Sequence, residues 1–198
     1  MSFEPIYVNC VLFTEDFENI VFLHKTSGPK FLLNKYNYVG GKQEPGEKTI
    51  ESIQREIKEE AGVDIDSSLL FSVAYKEFEK DGKQYKLENF GAVVPSSILS
   101  KAYTAEKEEV FFRNTKDVLM DFFTNPKDFN NDFKDILKNA LEKVPDEQRN
   151  KNYSTLSFFL TEREEKFSLI NRIKAAAEKS FKEEQAKKAE AKTLKRLI

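Results

Sequence analysis

Runs of β-branched and aromatic residues dominate the first half of the chain. Residues 6–13 and 20–24 are two such runs separated by a polar stretch, a pattern that predicts a β-hairpin. Two further runs, residues 69–79 and 84–94, flank the pair Asp81-Gly82, and an Asp-Gly pair in this position is a strong short-range hairpin signal. This part of the chain is therefore expected to form a β-sheet.

One helix is predicted between the two groups of strands, over residues 48–61. Four apolar residues recur there at helical spacing, and Gly62 follows at the position where a left-handed residue commonly ends a helix. The apolar positions are Ile50, Ile53, Ile57 and Ala61. After Pro95, a loop rich in lysine and glutamate leads to a short predicted strand over residues 110–112 and a helix over residues 115–123.

The last third of the chain has the periodicity of helices. Residues 126–144 carry a core-facing apolar stripe made of Phe129, Phe133, Ile136, Leu137, Ala140 and Leu141. The stretch Thr161-Glu162-Arg163-Glu164 has the pattern of a capping box, and no glycine or proline follows it. One long charged helix is therefore predicted over residues 161–198, preceded by an accessory helical segment over residues 126–160 that packs on a domain formed by residues 1–125.

Composition excludes several kinds of site. The 198 residues include one histidine, one cysteine and no tryptophan, too few for a Cys/His zinc cluster or a disulfide framework. His24 lies in a strand pattern and Cys10 is typical of a small core residue. The chain begins without a basic and apolar leader pattern and has no apolar run long enough to span a membrane, so a cytoplasmic protein without a membrane partner is expected.

The formal net charge of −2 gives no broad positive field, which disfavours nucleic-acid binding over the whole surface. Residues 161–198 nevertheless contain 11 basic and 7 acidic side chains, a local net charge of +4. Apolar residues on the first half of this segment predict packing on the domain or on a second subunit, as a homodimer. The basic end is either a solvated helix, the favoured interpretation, or a contact for RNA.

Three carboxylates share one side of the helix predicted over residues 48–61. Glu56, Glu59 and Glu60 lie within an arc of about 100° beside its apolar stripe. A solvated face is the usual explanation for such a charged helix. In this chain, however, a turn that contains Gly40-Gly41 precedes the charged helix, and glycines allow close backbone approach to a metal-bound phosphate. Ligands made only of oxygen favour Mg²⁺ or Mn²⁺ over zinc.

A known family matches this spacing. Gly41, five residues, Glu47, seven residues, Arg55-Glu56, Ile57, Lys58, Glu59-Glu60, Ala61, Gly62 and Val63 agree with every specified position of the Nudix box. The chain therefore resembles the Nudix hydrolases, most closely over this box and more weakly over residues 6–119. The resemblance implies an α/β fold, a Nudix-type α/β/α sandwich with a mixed sheet, followed here by extra C-terminal helices.

The resemblance also implies an activity, which is metal-dependent hydrolysis of a nucleoside diphosphate linked to another moiety. The metal ligands then correspond to Glu56, Glu59, Glu60 and the backbone carbonyl of Gly40. Mg²⁺ is the expected ion, with Mn²⁺ as a substitute. Glu59 is also a candidate for the base, and Arg55 with Glu47 corresponds to an ion pair that orients the site.

Many members of the family use a further acid from a loop outside the box. Here the best region directly precedes the strand at 110–112, and we rank Glu109 and Glu106 above Glu108, although a solvated loop is the favoured interpretation for each one taken alone. A nucleobase would have to stack on phenylalanine or tyrosine, because tryptophan is lacking. Candidates near the box are Phe31, Tyr36, Tyr38 and Phe78, although residues of this kind are more often ordinary core residues.

The sequence selects no substrate subclass. For example, the proline that many ADP-ribose hydrolases carry shortly after the box is lacking, since Pro95 lies 32 residues beyond Val63. A nucleotide sugar, a dinucleotide and a nucleoside triphosphate all remain candidates. Two other hypotheses remain: the protein is an enzyme that processes RNA 5′ ends with help from the basic tail, or a sensor that binds a nucleotide sugar without cleaving it.

Overall fold

A computed structural model describes residues 6–80, 82–103 and 108–194. Its strands are β1 (Ile6–Thr14), β2 (Asn19–Lys25), β3 (Lys35–Asn37), β4 (Val39–Lys42), β5 (Leu70–Lys80), β6 (Lys83–Val94) and β7 (Glu109–Asn114). Its helices are α1 (Thr49–Ala61), α2 (Ser96–Leu99), α3 (Thr115–Thr124), α4 (Phe133–Lys143) and α5 (Lys151–Leu194). Short 3₁₀ turns lie at Ser67–Leu69, Pro126–Asp128 and Asp146–Gln148.

The strands form one mixed sheet in which β1 is central. Its main path runs β3-β2-β1-β6-β5, with β1 and β6 parallel and the other pairs antiparallel. The end of β1 pairs with β2, whereas its first half pairs with β4. The Asn9↔Gly40 and Val8↔Gly41 pairs therefore bring the Gly-Gly segment against the start of the central strand. β7 pairs along β2.

Alternation along the strands builds a core on each face of the sheet. Val8, Cys10 and Leu12 of β1 belong to one buried cluster with Ile53 and Ile57 of α1. On the opposite face, Phe22 of β2 lies 6.2 Å from Phe133 at the start of α4, and Tyr38 stacks on the same ring at 4.3 Å. Helices on both faces of a mixed sheet confirm the predicted α/β/α sandwich.

Local sequence signals predicted several elements correctly. Helix α1 ends at Gly62, whose φ of 64° is left-handed as expected. The hairpin β5-β6 turns at the Asp81-Gly82 pair, of which Asp81 lies outside the described residues. The hairpin β1-β2, the strand β7 and the helix α3 are also present. His24 lies in β2, and Cys10 is buried in the core.

The single helix predicted over residues 126–144 is wrong. A 3₁₀ turn ends at Asp128, Phe129 is extended, and α4 begins only at Phe133. The interruption follows from pairing with β3: Asn130 donates its backbone N–H to the carbonyl of Tyr36 at 2.9 Å. Asparagine and aspartate also favour turns over helix interiors, because their side chains compete for backbone groups. Contact with the sheet therefore outweighs the helical periodicity.

The start predicted for the last helix is wrong by ten residues. Helix α5 begins at Lys151, where the Asn150 side chain accepts from the N–H of Tyr153 at 3.0 Å. Thr161 therefore lies inside the helix, because Asn150 supplies the cap that the Thr161 pattern was expected to supply. The predicted loop after Pro95 is also wrong in part, since it begins with the short helix α2.

The chain divides into two compact units, residues 1–159 and 160–198. The first contains the whole sheet and helices α1 to α4. The second consists, where it is described, of the remainder of α5, with exposed apolar side chains at Ile170, Ile173 and Phe181. None of the helices in the described residues is both long and apolar enough to cross a membrane.

Candidate active site

The Gly-Gly segment of β4 lies where side chains would not fit. A Cβ atom at Gly40 would lie 2.0 Å from the carbonyl oxygen of Val8, and one at Gly41 would lie 2.5 Å from the carboxylate of Glu56. Glycine at the first position therefore permits the pairing of β4 with β1. Glycine at the second lets the Glu56 carboxylate approach the backbone.

Arg55 links most of the acids of the box. Its Nε and Nη2 bind the two carboxylate oxygens of Glu47 at 2.7 and 3.1 Å, a bidentate pair. Its Nη1 donates to Glu56 at 2.8 Å and to Glu59 at 2.9 Å, and Nη2 also reaches the carbonyl of Lys42 at 3.0 Å. The ion pair predicted between Arg55 and Glu47 is thus present, and one guanidinium fixes three carboxylates.

Glu60 is the most deeply buried acid of α1, with only 4% of its surface exposed. Its Oε2 accepts from the backbone N–H of Gly40 at 2.7 Å, and its Oε1 accepts from the ammonium of Lys25. The same ammonium donates to the carbonyl of Gly40 at 3.0 Å. Burial raises the pKa of the Glu60 carboxyl to about 7, against the opposing effect of Lys25.

The other acids differ in their surroundings. Burial raises the pKa of Glu56, although Arg55 opposes the shift. Hydrogen bonds from Arg55 lower the pKa of Glu47 to about 2, helped by the Ser52 hydroxyl and the Glu44 N–H. The Glu59 side chain is 46% exposed and has Arg55 as its ion-pair partner. Glu59 is therefore the acid of this group most accessible from the cleft.

The donor set fits a hard divalent cation in its chemistry. Glu56, Glu59, Glu60 and the Gly40 carbonyl supply only oxygen, and the glycine at position 41 leaves room for the Glu56 carboxylate beside the loop. Within residues 6–80, 82–103 and 108–194, however, no three acidic, histidine or cysteine side chains already converge as a metal cage. Glu56 and Glu60 are engaged instead in ion pairs with Arg55 and Lys25.

The three acids before and at the start of β7 are placed differently. Glu109 is exposed and lies opposite His24 in the β2-β7 ladder. Glu106 lies outside the described residues. Glu108, which was ranked lowest, is buried and accepts a hydrogen bond from the Ser27 hydroxyl at 2.6 Å. Glu108 lies just before β7, whereas Glu109 is the first residue of that strand.

These groups open into a cleft of about 820 Å³, lined by Gly40, Gly41, Glu56, Glu59 and Glu60. One wall is aromatic: Phe78 stacks on Tyr85 at 5.3 Å, Phe31 meets Tyr85 edge-on at 5.4 Å, and Tyr7 lies 5.6 Å from Tyr85. We call these four residues, Tyr7, Phe31, Phe78 and Tyr85, the aromatic wall.

Two of the four aromatic candidates near the box therefore line the cleft, Phe31 and Phe78. Tyr38 is instead fully buried and donates its hydroxyl to the carbonyl of Phe133 at 2.9 Å. Tyr36 packs among Phe22, Phe111 and Phe129. Tyr7 and Tyr85 were missed, because they reach the same wall from separate strands and carry no local signal.

Polar side chains complete the cleft. Asn37, only 1% exposed, accepts at its Oδ1 from the side-chain amide of Asn130 at 3.1 Å. Lys35 donates to Asn131 at 3.3 Å, and Asp132 binds Lys76 at 2.7 Å. The irregular segment that breaks the predicted helix over residues 126–144 therefore forms part of the cleft lining. Lys25, Lys30, Lys35 and Lys42 also line it and supply positive charge.

The family is decided by the sequence of most of the first unit. The model of the NUDIX domain matches residues 4–140, more than half of the chain. The chain belongs to the Nudix family. The match contains the Nudix box, the aromatic wall and most of α4, so the resemblance first seen over the box is confirmed over this Nudix domain. No curated protein matches the sequence significantly.

Solved Nudix structures share the fold at low identity. The NUDIX domain of Shewanella oneidensis NrtR, in complex with ADP ribose, is 14% identical with a TM-score of 0.55, over 73% of this chain and 91% of that chain. The MutT protein of Methanosarcina mazei is 21% identical with a TM-score of 0.50, over 69% and 97% of the two chains.

A longer relative is a bifunctional NMN adenylyltransferase/ADP ribose pyrophosphatase from Francisella tularensis, complexed with AMP and a manganese ion. It is 16% identical with a TM-score of 0.56, over 73% of this chain and 43% of that chain. A MutT/nudix family protein from Enterococcus faecalis is likewise spanned over only 45% of its length. At these identities the likeness establishes the fold of the Nudix domain, and the activity must be inferred from the site.

Proposed function

We propose that the protein is a divalent-metal-dependent hydrolase that cleaves the pyrophosphate linkage of a nucleoside diphosphate bound to another moiety. One observation carries the proposal: a single cleft is lined both by the box acids Glu56, Glu59 and Glu60 and by the aromatic wall. A nucleotide has the matching polarity, with a charged diphosphate and a flat base. The pyrophosphatase activity of the Francisella relative supports the same reaction class.

Glu56, Glu59, Glu60 and the Gly40 carbonyl are the residues that would hold the metal, with Mg²⁺ as the expected ion and Mn²⁺ as a substitute. When bound, the ion would neutralise diphosphate oxygens and lower the pKa of an attacking water. Arg55 holds Glu47, Glu56 and Glu59 in a fixed arrangement. It is therefore proposed to orient the carboxylates, together with Glu47, without contacting the metal.

A base is also needed to take the proton from water. Glu59 is the best placed, because it lines the cleft and is the most exposed of the three acids. Glu106 and Glu109 remain proposals for an assisting acid. Glu109 is exposed at the start of β7 and would have to reach the substrate from the rim.

The remaining lining residues suit the rest of a nucleotide. The aromatic wall offers ring faces for stacking a base, an interaction worth roughly 1 to 3 kcal/mol per base. Asn9 and Asn37 place side-chain amides in the same cleft, and amides both donate to and accept from base edges. The four lysines of the lining, Lys25, Lys30, Lys35 and Lys42, are suited to phosphate charge.

The proposal is tested with Glu59→Gln and Glu60→Gln, and with Glu142→Gln on the exposed side of α4 as the matched control. The first two variants should fold, judged by circular dichroism, and lose at least about a hundredfold in turnover on every nucleotide that the wild type cleaves with Mg²⁺. The control should keep its turnover. Full turnover in both site variants would contradict the assignment.

A sensor with the same fold is the second candidate, favoured by the ion pairs that engage Glu56 and Glu60 with Arg55 and Lys25. One assay with ADP-ribose, NADH and a set of nucleoside triphosphates at millimolar Mg²⁺ distinguishes a sensor from an enzyme. Thermal stabilisation without product would favour the sensor. Product formation would favour the hydrolase.

A further inference from the structure

The loop between β2 and β3, residues 26–34, forms one side of the cleft. Ser27, Lys30, Phe31 and Leu32 all contribute to the lining. The Phe31 ring lies 5.4 Å from Tyr85 and 6.2 Å from Phe78, and both of these partners belong to the β5-β6 hairpin. The position of this loop therefore determines whether the aromatic wall is complete.

The two ends of the loop are held in different ways. At its far end, the N–H of Asn34 donates to the carbonyl of Lys25 at 2.8 Å, which closes the loop on its own backbone. Near its beginning, Gly28 has a φ of 96°, and a Cβ atom there would meet no atom within 4 Å. Gly28 thus adds no side-chain packing at this end, whereas the adjacent Ser27 makes a hydrogen bond to a distant part of the fold.

Ser27 donates its hydroxyl to Oε1 of Glu108 at 2.6 Å, across 81 residues of sequence. Only 5% of the surface of Glu108 is exposed, whereas the next residue, Glu109, is exposed. A buried carboxylate is costly unless it accepts hydrogen bonds, and bonds to a charged acceptor are the stronger ones. The arrangement gives this end of the loop a strong, directional attachment to the start of β7.

We propose that Glu108 is a positioning residue: through Ser27 it fixes the loop that carries Phe31 and so sets the affinity of the cleft for the flat ring of its substrate. The statement about substrate rests on the proposed nucleotide function, whereas the statement about the loop does not. Glu108 then acts on ground-state binding and leaves the bond-breaking step unchanged. Removal of the Glu108 carboxylate should therefore raise KM and leave kcat unchanged.

Two substitutions separate this role from direct chemistry. A base or a metal ligand needs the charge of a carboxylate, so Glu108→Ala and Glu108→Gln would both abolish such a role. An acceptor for the Ser27 hydroxyl needs only an oxygen, which the glutamine amide retains. Glu108→Gln should therefore rescue the loop, and Glu108→Ala should not.

The first measurement is amide hydrogen exchange on the full chain without substrate. Ser27→Ala and Glu108→Ala should each speed exchange in residues 26–34 by about tenfold, the factor expected for one lost hydrogen bond to a charged group, and leave α1 unchanged. Glu108→Gln should exchange more slowly than Glu108→Ala, because it keeps an acceptor oxygen, and Thr26→Ala, which removes a neighbouring exposed hydroxyl outside the cleft lining, should match the wild type. Unchanged loop exchange in both alanine variants would overturn the proposal.

The second measurement is steady-state kinetics on the best nucleotide of the substrate panel. Ser27→Ala and Glu108→Ala should raise KM by about fivefold with kcat within about twofold of the wild type, and the double variant should be no worse than either single one. A fall in kcat that Glu108→Gln fails to rescue would overturn the proposal in favour of a chemical role. Failure of the proposed function would appear differently, as a wild type without turnover, and the exchange comparison would still decide the role of Glu108.

Discussion

Arg55 shows how single residues organise this site. One guanidinium binds Glu47 with two bonds and also reaches Glu56 and Glu59. Planar, permanently charged donors suit such a task, which lysine could not perform with the same geometry. The carboxylates of the box are therefore ordered before any substrate arrives, and the Arg55–Glu47 pair should contribute to folding stability as well as to function.

Glu47→Gln tests that contribution through pH. The pKa of Glu47 is lowered from 4.5 to about 2, chiefly by Arg55, so its ionised form stabilises the fold above its unfolded-state pKa. The free energy of unfolding should fall in the variant by roughly 1 to 2 kcal/mol near neutral pH. That difference should shrink as the pH falls from about 4.5 towards 2, in urea unfolding followed by circular dichroism. A difference that stays constant or grows over this range would contradict the ion pair.

At the scale of elements, strand β4 needs its two glycines for two different reasons. A Cβ at Gly40 would collide with backbone, the Val8 carbonyl, whereas a Cβ at Gly41 would meet the movable end of the Glu56 side chain. Gly40→Ala should therefore separate β4 from β1 and destabilise the fold by about 2 kcal/mol or more. Gly41→Ala should cost less than about 1 kcal/mol, because the Glu56 carboxylate can move aside.

Gly41→Ala should impair metal binding clearly, although its effect on stability is mild. A displaced Glu56 carboxylate would weaken Mg²⁺ binding, measured by calorimetry with the metal alone, while thermal melting stays close to the wild type. A variant that binds Mg²⁺ as tightly as the wild type would show that the Glu56 carboxylate does not contribute to the metal site in this arrangement.

The elements also explain what the sequence could predict. Helix α1, with its apolar stripe and Gly62, and the hairpin at Asp81-Gly82 depend on neighbouring residues and were predicted correctly. Strand β4 was not, because two glycines have little intrinsic strand preference and the strand forms only by pairing with β1. Contact with β3 likewise interrupts, at Phe129, the helix predicted over residues 126–144.

The site divides in the same way. The acids of the box lie close in sequence and on one helix, so their common position followed from spacing alone. The aromatic wall could not be assembled in this manner, because Tyr7, Phe31 and Tyr85 come from a central strand, a loop and a distant hairpin. The buried position of Glu108 depends on the register of β7 against β2, which no local pattern gives.

At the scale of the whole molecule, charge and chemistry are separated along the chain. The cleft is lined by residues between Tyr7 and Asp132, all in the first unit, whereas residues 161–198 carry a net charge of +4. The sequence predicts boundaries near residues 125 and 160. We propose that the chain is organised in the three corresponding segments. Turnover of a free nucleotide should then be independent of the basic end of α5.

Deletion of residues 178–198 tests this separation. Turnover of a free nucleotide should stay within about twofold of the full chain, because the deletion removes no residue that lines the cleft. Capped RNA in a parallel assay examines the RNA-end alternative. A much larger loss on capped RNA than on the nucleotide would show that the tail binds RNA, and an equal loss on both would contradict the separation itself.

The central claim is that this cleft adds water to a phosphoanhydride with the help of the acids of α1. Its most direct test is mass spectrometry of the products formed in ¹⁸O-labelled water from a nucleotide panel, with Mg²⁺ and with chelator. We predict one labelled oxygen in a phosphate-bearing product, formed with Mg²⁺ by the wild type and by Glu142→Gln and lost with chelator and in Glu60→Gln. Product formation that survives both chelator and Glu60→Gln, or nucleotide binding with no labelled product at any Mg²⁺ concentration, would contradict the account.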